Sequence, residues 1–458
     1  MSVSPRTGAL ILAAGKGTRM CSRRPKVLHT LLGDSMLRHV IRALTPLFGE
    51  SVWTVIGHEA DMVRAHGADR SMRFVEQTEQ LGTGHALMTA LPELEAAGVE
   101  RLLLINGDTP LITTEILDRF MRETTECDLA FASLTLPDPA SFGRVLRRNG
   151  TVVAIIEAKD YDPALHGPEP KEINAGLYLF TMKTIAPLLS RLSNNNKSGE
   201  YYITDLVGLA AESGLRVEGL DCGDTPSLLG VNSPAELAKS EETLRASIVR
   251  HLLDAGVTIH APELARIGPE SVVEPGAELT GPCEIYGKSL VQAEARIESH
   301  CVLVNSRIAS GAVVRSFSHL EDADVGPDCI VGPFARLRPG TVLEQGAHVG
   351  NFVEMKKVRL GQGAKANHLT YLGDAEVGAQ ANIGAGTITC NYDGINKHRT
   401  IIGAGAFIGS NSALVAPVKI GENAVIGAGS TITKEVGERH LGVTRAPQRT
   451  LPWSKAEK

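Results

Sequence analysis

No apolar stretch in the 458 residues approaches the ~20 that a membrane span needs, and no long apolar region opens the chain as a secretion signal would. The seven cysteines, at 21, 127, 222, 283, 301, 329 and 390, are an odd number, and no two form a C-x-x-C pair. That argues against a disulfide framework or a cysteine zinc site, and it suits reduced, mostly buried thiols. A basic excess is missing too: the net charge of -6 gives no support to a nucleic-acid or membrane-surface partner. No two histidines stand five apart, so the His-x4-His pair of a metal-dependent β-helix hydratase is absent. These absences lead us to expect a cytoplasmic protein with no nucleic-acid partner and no membrane insertion.

Two familiar phosphate-loop signatures are also missing. The stretch LILAAGKGTRMCSRRPKVL, residues 10–28, follows an apolar run with Gly15, Gly17 and five basic residues. A Walker A loop needs Ser or Thr after Gly-Lys, and here Gly17 follows Lys16; a dinucleotide fingerprint needs a third small residue where Met20 stands. A nucleoside triphosphate held by this loop and a plain turn with a solvated basic face both remain open at this point.

At this length the chain should form two or three domains. Residues 1 to about 230 alternate strand-like runs (Ala9–Leu12, Ser51–Ile56, Arg101–Ile105, Leu129–Leu134, Gly176–Phe180) with helical segments such as Met36–Leu44 and Thr114–Thr124. This predicts an α/β fold with a mostly parallel sheet, which binds ligands at the carboxyl ends of its strands. From Ser233 to Gly256, Leu237, Leu244, Ile248 and Leu252 recur at helical spacing behind a Ser-Pro start, predicting one connecting helix.

Beyond residue 257 aliphatics fall every sixth position: Val325, Val331, Leu337, Leu343, Val349 and Met355, then Ile402, Ile408, Leu414, Ile420, Ile426 and Ile432. Ile285 to Leu320 extend the series with one slip, and glycine often follows the aliphatic. Such a period predicts a parallel β-helix whose coils stack inward side chains into an apolar column. The boundaries expected are 1–232, 233–256 and 257–458. The period breaks between Met355 and Val377 and between Ile383 and Ile402, where loops leaving the coil, and with them binding, are expected.

Several residues suit chemistry. Asp108 ends a strand at the sheet edge that carries the glycine loop, where a carboxylate commonly holds Mg²⁺. His368, inside a broken repeat and beside Tyr371, suits a general base near neutral pH. Glu354 is a candidate to orient it. Arg338 and Lys356 suit a sugar phosphate.

The order of motifs in the first half resembles the sugar-nucleotide pyrophosphorylases: Leu12-Ala13-Ala14-Gly15-x-Gly17-Thr18-Arg19-Met20, then Pro25-Lys26, Gln80-Leu81-Gly82-Thr83-Gly84 and Asn106-Gly107-Asp108. The resemblance implies that Leu12, Ala13, Ala14, Gly15 and Lys16 cradle UTP and that Gln77, Gly82 and Thr83 read its base. It further implies that Arg19 and Lys26 neutralise phosphate charge, that Gly143, Glu157 and Asn174 line a sugar pocket, and that Asp108 and Asn232 hold Mg²⁺. Asn106 departs from this family, in which an aromatic precedes Gly-Asp, and an altered contact near the nucleotide is implied.

The second half narrows the likeness. Phe334-Ala335-Arg336-Leu337-Arg338-Pro339-Gly340, Val349 to Lys357, His368 to Asp374 and Asn382 to Thr387 resemble the bifunctional family that joins such a uridyltransferase to a glucosamine-1-phosphate acetyltransferase on a left-handed β-helix. This likeness implies that Arg338, Lys356, Tyr371, Asn382, Asn391 and Tyr392 bind glucosamine-1-phosphate, that Ala385, Ser410, Ala428 and Arg445 line an acetyl-CoA cleft, and that the chain is a homotrimer. Acetyl-CoA and UTP are the implied co-substrates, and peptidoglycan and lipopolysaccharide precursor supply the implied role. The alternative is a pyrophosphorylase whose β-helix only regulates or oligomerises. It does not require His368, Tyr371 and the Asn391-Tyr392 loop together.

Overall fold

The structure, a computed structural model, describes residues 6–67, 72–223 and 225–452. It divides into two compact units, Met1–Glu242 and Thr243–Lys458. Among the described residues no helix is long and apolar enough to cross a membrane.

In the first unit the apolar runs become strands of one sheet. Its order is Val217–Asp221, Leu129–Thr135, Glu172–Thr181, Arg101–Asn106, Thr7–Leu12, Val52–Ile56 and Arg73–Glu76. Successive side chains feed opposite faces. Leu10, Leu102 and Leu104 join one core with the helix Thr83–Ala96, while Ala9, Ile11, Leu103 and Ile105 join the other with the helix Met36–Phe48. All seven strand residues are at most 1 % exposed, which is why these strands read as unbroken apolar runs.

The sheet is mixed: four of the six pairings along this order are parallel, and the other two belong to one reversed strand. Glu172–Thr181 runs antiparallel to both of its neighbours, and Arg144–Arg148 forms an antiparallel hairpin with Thr151–Ile156. Burial on both faces writes the same apolar pattern for either direction, so the sequence did not reveal the reversal.

The predicted connecting helix spans Pro234–Asp254, with the boundary between the units inside it. Ser233 Oγ accepts from the Glu236 N–H at 3.2 Å, and the Glu236 carboxylate accepts from the Asn232 N–H at 2.8 Å. This reciprocal cap starts the helix and fixes the backbone at Asn232.

The second unit is a run of short parallel strands stacked coil on coil, as expected of a β-helix. None of the six-period aliphatics from Ile285 to Ile432 is more than 3 % exposed. Full burial of each contributes roughly 1.5–3 kcal/mol. Ile285 pairs with Leu303 and Val331 with Val349, a step of 18 residues, whereas Leu303 pairs with Leu320, a step of 17. The slips in period are thus coils one residue shorter.

One of the two expected loops is absent. Glu354–Leu360 and Tyr371–Val377 stay in the ladder, Met355 beside Leu372 and Leu360 beside Val377. The slip is absorbed inside the coil, where Lys357 and Asp374 turn the chain in the left-handed region at φ 52° and 48°. The second break is a true insertion: Ile383 pairs with Ile408, 25 positions on, and Tyr392 bridges back to Lys397 in a small antiparallel turn.

Phe317, Phe334 and Phe352 occupy one corner, each about half exposed, with rings 4.9 and 5.3 Å apart. All seven cysteines are free. Burial pushes the Cys283 and Cys301 thiols up to about 12 and about 11, so neither is a nucleophile near neutral pH.

Candidate functional site

The parallel strands Thr7–Leu12 and Arg101–Asn106 end side by side, Leu12 against Asn106, and a cleft of about 700 Å³ opens at those ends. It gathers Leu12, Ala13, Ala14, Gly15, Lys16, Arg19, Lys26, Gln77, Gly82, Thr83, Asn106, Asp108 and Asn232. Gly17 has φ +59°, and a Cβ there would fall 2.5 Å from the Lys26 Cβ, so this glycine lets the loop close on the lysine stem.

Gln77 is 3 % exposed and donates through Nε2 to the Gly82 carbonyl at 3.1 Å. The Thr83 Oγ1 accepts from the Ile203 N–H at 3.0 Å, which pins residues 200–203 beside the second glycine turn. That packing brings Glu200 into the cleft, and Gln80 joins it from the same turn. Sequence reasoning missed both. Glu200 lies far along the chain with no motif of its own, whereas Gln80 stood within the quoted glycine turn.

Asp108, Lys26 and Asn232 converge. The Lys26 ammonium donates to Asp108 Oδ2 and to Asn232 Oδ1, the latter at 2.7 Å, and the Arg19 guanidinium donates to the same amide oxygen at 2.9 Å. Asn232 reaches this point because the Val231 N–H donates to the Asp108 carbonyl at 2.8 Å. Asp108 Oδ1 is buried without a hydrogen-bond partner. Among the described residues no group of three or more His, Cys, Asp and Glu side chains could cage a metal. One carboxylate with an orphaned oxygen, together with one amide oxygen, fits a hard cation that keeps most of its waters and bridges to phosphates, as Mg²⁺ does. Asn106 packs over Gly176, where a Cβ would collide with its amide.

Gly107, Gly143, Glu157 and Asn174 do not line this cleft. The Gly107 N–H donates to the Leu12 carbonyl at 2.9 Å and ties the two strand ends together. The other three form a group of their own. The Asn174 N–H donates to the Gly143 carbonyl at 2.9 Å, and a Cβ on Gly143 would lie 3.7 Å from Glu157 Oε1. Thr204 Oγ1 donates to that oxygen at 2.9 Å, and burial raises the Glu157 pKa.

In the β-helix, His368 is exposed, and its Nδ1 lies 2.8 Å from Asn351 Oδ1, one coil below. With Nδ1–H donating there, Nε2 keeps its lone pair. The expected orienting residue, Glu354, instead accepts from Arg338 at 2.8 Å. Asn351 belonged to a quoted motif, but only the coil register shows that it faces the imidazole.

Tyr371 and Asn391 meet over Gly373, where a Cβ would lie 2.5 Å from the phenol oxygen and 2.8 Å from the amide nitrogen. Lys397, then Arg338, press the Lys356 pKa down. This crowding of cations suits a phosphate dianion. Lys397 went unread in the sequence, although it lies in the same insertion as Asn391 and Tyr392.

Ala366 pairs with Ile383, Ile383 with Ile408 and Ile408 with Ile426. Two positions on from these four stand His368, Ala385, Ser410 and Ala428, one per coil in a single column. Arg445 reaches back over it, 3.8 Å from where a Gly427 Cβ would be. Asn382 sits on the strand between Lys365 and Phe407.

Residues 9–154 match the MobA-like NTP transferase domain family, and residues 399–434 match the bacterial transferase hexapeptide family. The chain is 62% identical over 446 residues to a bifunctional protein GlmU of Nitratidesulfovibrio vulgaris, covering 97% of this chain and 98% of that one. It is 59% identical to the Oleidesulfovibrio alaskensis protein of that name, covering 97% of each. The Pseudomonas putida protein is 45% identical over 453 residues, with 98% of each covered. The chain therefore belongs to the GlmU family of bifunctional transferases, which pair acetyl transfer with uridylyl transfer in the synthesis of UDP-N-acetylglucosamine.

Proposed function

We propose that the two reactions fall to the two clusters described, acetyl transfer at His368 and uridylyl transfer at the Lys26–Asp108–Asn232 cleft. The observation that carries the first is the His368–Asn351 bond, which supports a fixed tautomer with Nε2 as base. Nε2 takes a proton from the ammonium of glucosamine-1-phosphate, whose phosphate lies against Arg338, Lys356 and Lys397. Tyr371, Asn382, Asn391 and Tyr392 hold the sugar. The freed amine attacks the thioester carbonyl of acetyl-CoA, laid along Ala385, Ser410, Ala428 and Arg445. The C–S bond then breaks, His368 returns the proton to the departing CoA thiolate, and the acylated nitrogen sheds its remaining extra proton to water, so that one proton is released per turnover.

In the cleft, Leu12 to Lys16 cradle UTP, and Gln77, Gly82 and Thr83 read its base, while the separate group of Gly143, Glu157 and Asn174 takes the sugar. An oxygen of N-acetylglucosamine-1-phosphate attacks the α-phosphorus in line, and pyrophosphate leaves. Arg19 and Lys26 stabilise the charge that spreads over the phosphates. Asp108 and Asn232 would hold Mg²⁺, which when bound supplies further neutralisation of that charge.

The domains are taken as 1–232, 233–256 and 257–458, in a cytoplasmic homotrimer. The exposed phenylalanine corner supports assembly, because a contiguous apolar stack is commonly covered by a partner.

The test is reciprocal. His368→Ala should lower CoA thiol release from acetyl-CoA and glucosamine-1-phosphate about 10²–10⁴-fold, and leave pyrophosphate release from N-acetylglucosamine-1-phosphate and UTP intact. Asp108→Ala should do the reverse. One substitution abolishing both activities in folded protein would overturn the assignment.

A further inference from the structure

The cleft holds an arrangement that charge neutralisation alone does not explain: Lys26 spends its ammonium on the protein's own oxygens rather than facing open solvent. It bridges Asp108 Oδ2 and Asn232 Oδ1. The pair is largely out of water, with the lysine side chain 14% and the aspartate side chain 19% exposed, so solvent screens it weakly.

We infer that Lys26 is the resident counter-cation of the Asp108–Asn232 pair and that a divalent ion binds there only by exchange with its ammonium. This rests on reading that pair as the Mg²⁺ ligands. Mg²⁺ lies about 2.0–2.1 Å from its oxygen ligands. An ammonium donating hydrogen bonds to Asp108 Oδ2 and Asn232 Oδ1 leaves only Asp108 Oδ1 unpartnered, and it repels a divalent ion strongly at such separation.

Lys26 is built to move without losing its anchor. Its stem is clasped by the loop at Gly17, and its backbone lies in the short 3-10 turn Lys26–Leu28. Only the flexible end of the stem has to swing, and the open cleft beside it would receive a triphosphate. The lysine stays charged throughout, so no proton is transferred. The metal gains the carboxylate and the phosphates gain the ammonium. Nucleotide and metal therefore favour each other's binding, reciprocally, although the metal alone binds poorly.

The test uses the full chain and Mn²⁺ alone as the probe, with bound ion read by electron paramagnetic resonance and no nucleotide present. Lys26→Met should bind Mn²⁺ about tenfold more tightly than the parent chain, in the usual range of coupled sites. Adding Asp108→Asn to Lys26→Met should cancel the gain. Lys26→Gln, which keeps a donor but no charge, should show the same gain and carries the test where the Met variant does not fold. No gain in either variant, or a gain that survives the added Asp108→Asn, overturns the exchange. The metal reading is tested apart from this. A folded Asp108→Asn chain with the parent's Mg²⁺ dependence of pyrophosphate release would sink that reading, and loss of the dependence would leave only the exchange in question.

Discussion

The cleft of the first unit collects side chains from stations far apart in the chain: residues 12–26, 77–83, 106–108, 200 and 232 meet only because parallel strands end side by side and later segments fold back over them. The β-helix site is collected by counting. Asn351, His368, Ala385, Ser410 and Ala428 sit at one corner of successive coils, and an insertion adds Asn391, Tyr392 and Lys397. In the first case topology creates the neighbours. In the second, sequence separation does so directly, at a step of 17, 18 or 25 residues.

This contrast can be broken at a close approach beside the β-helix site. Gly373→Ala places a methyl against Tyr371 and Asn391 and should cut kcat/KM for acetyl transfer by about a hundredfold. Uridylyl transfer, measured as pyrophosphate release, should stay at the parent level; a matching fall there would mean that the two sites do not fail independently.

An effect of comparable size tests the column itself. Ile408 is fully buried, and Ile408→Ala should cost about 2–5 kcal/mol in denaturant unfolding of the β-helix. In a stack of nearest neighbours the loss should concentrate in adjoining coils, read by hydrogen exchange, and spare the strands Thr7–Leu12 and Arg101–Asn106.

The smallest effect sits in the first unit. Burial, with Glu157 and Asp160 nearby, raises the Asp205 pKa to about 6. Its folded-state pKa exceeds the unfolded value, so the relative advantage is full below the unfolded pKa near 3.8 and is lost as pH rises through about 6. Asp205→Asn should therefore raise stability by about 1 kcal/mol at pH 8, after discounting for partial exposure, and by almost nothing at pH 4. Melting curves at the two pH values decide it; equal shifts at both would remove the carboxylate as the cause.

What the sequence disclosed follows the same division. The aliphatics at period six were legible because each coil must bury one residue per face, and every one of them is buried. The glycine loop and the Asp108 turn were legible because short motifs fix local backbone. Strand direction at Glu172–Thr181 was not, since a strand covered on both faces carries no mark of its polarity. The slip after Met355 looked like a loop but is a shorter coil, because left-handed corner residues such as Lys357 and Asp374 take up the difference. Glu354 was read as the partner of His368 on chemistry alone, and the ladder assigns that place to Asn351, 17 positions before the histidine. Lys397 escaped notice because a single lysine in an insertion looks like any solvated cation until Lys356 is found beside it.

The column that runs upward from His368 is also a scale of length. Neighbouring strands in a sheet lie about 4.8 Å apart, so a thread-like molecule lying along Ala385, Ser410 and Ala428 meets a new small side chain at each such interval. Its extent is measured by the fold's own spacing, and removing or adding one whole coil there would change the length of donor that fits by one such interval, leaving the imidazole where it is.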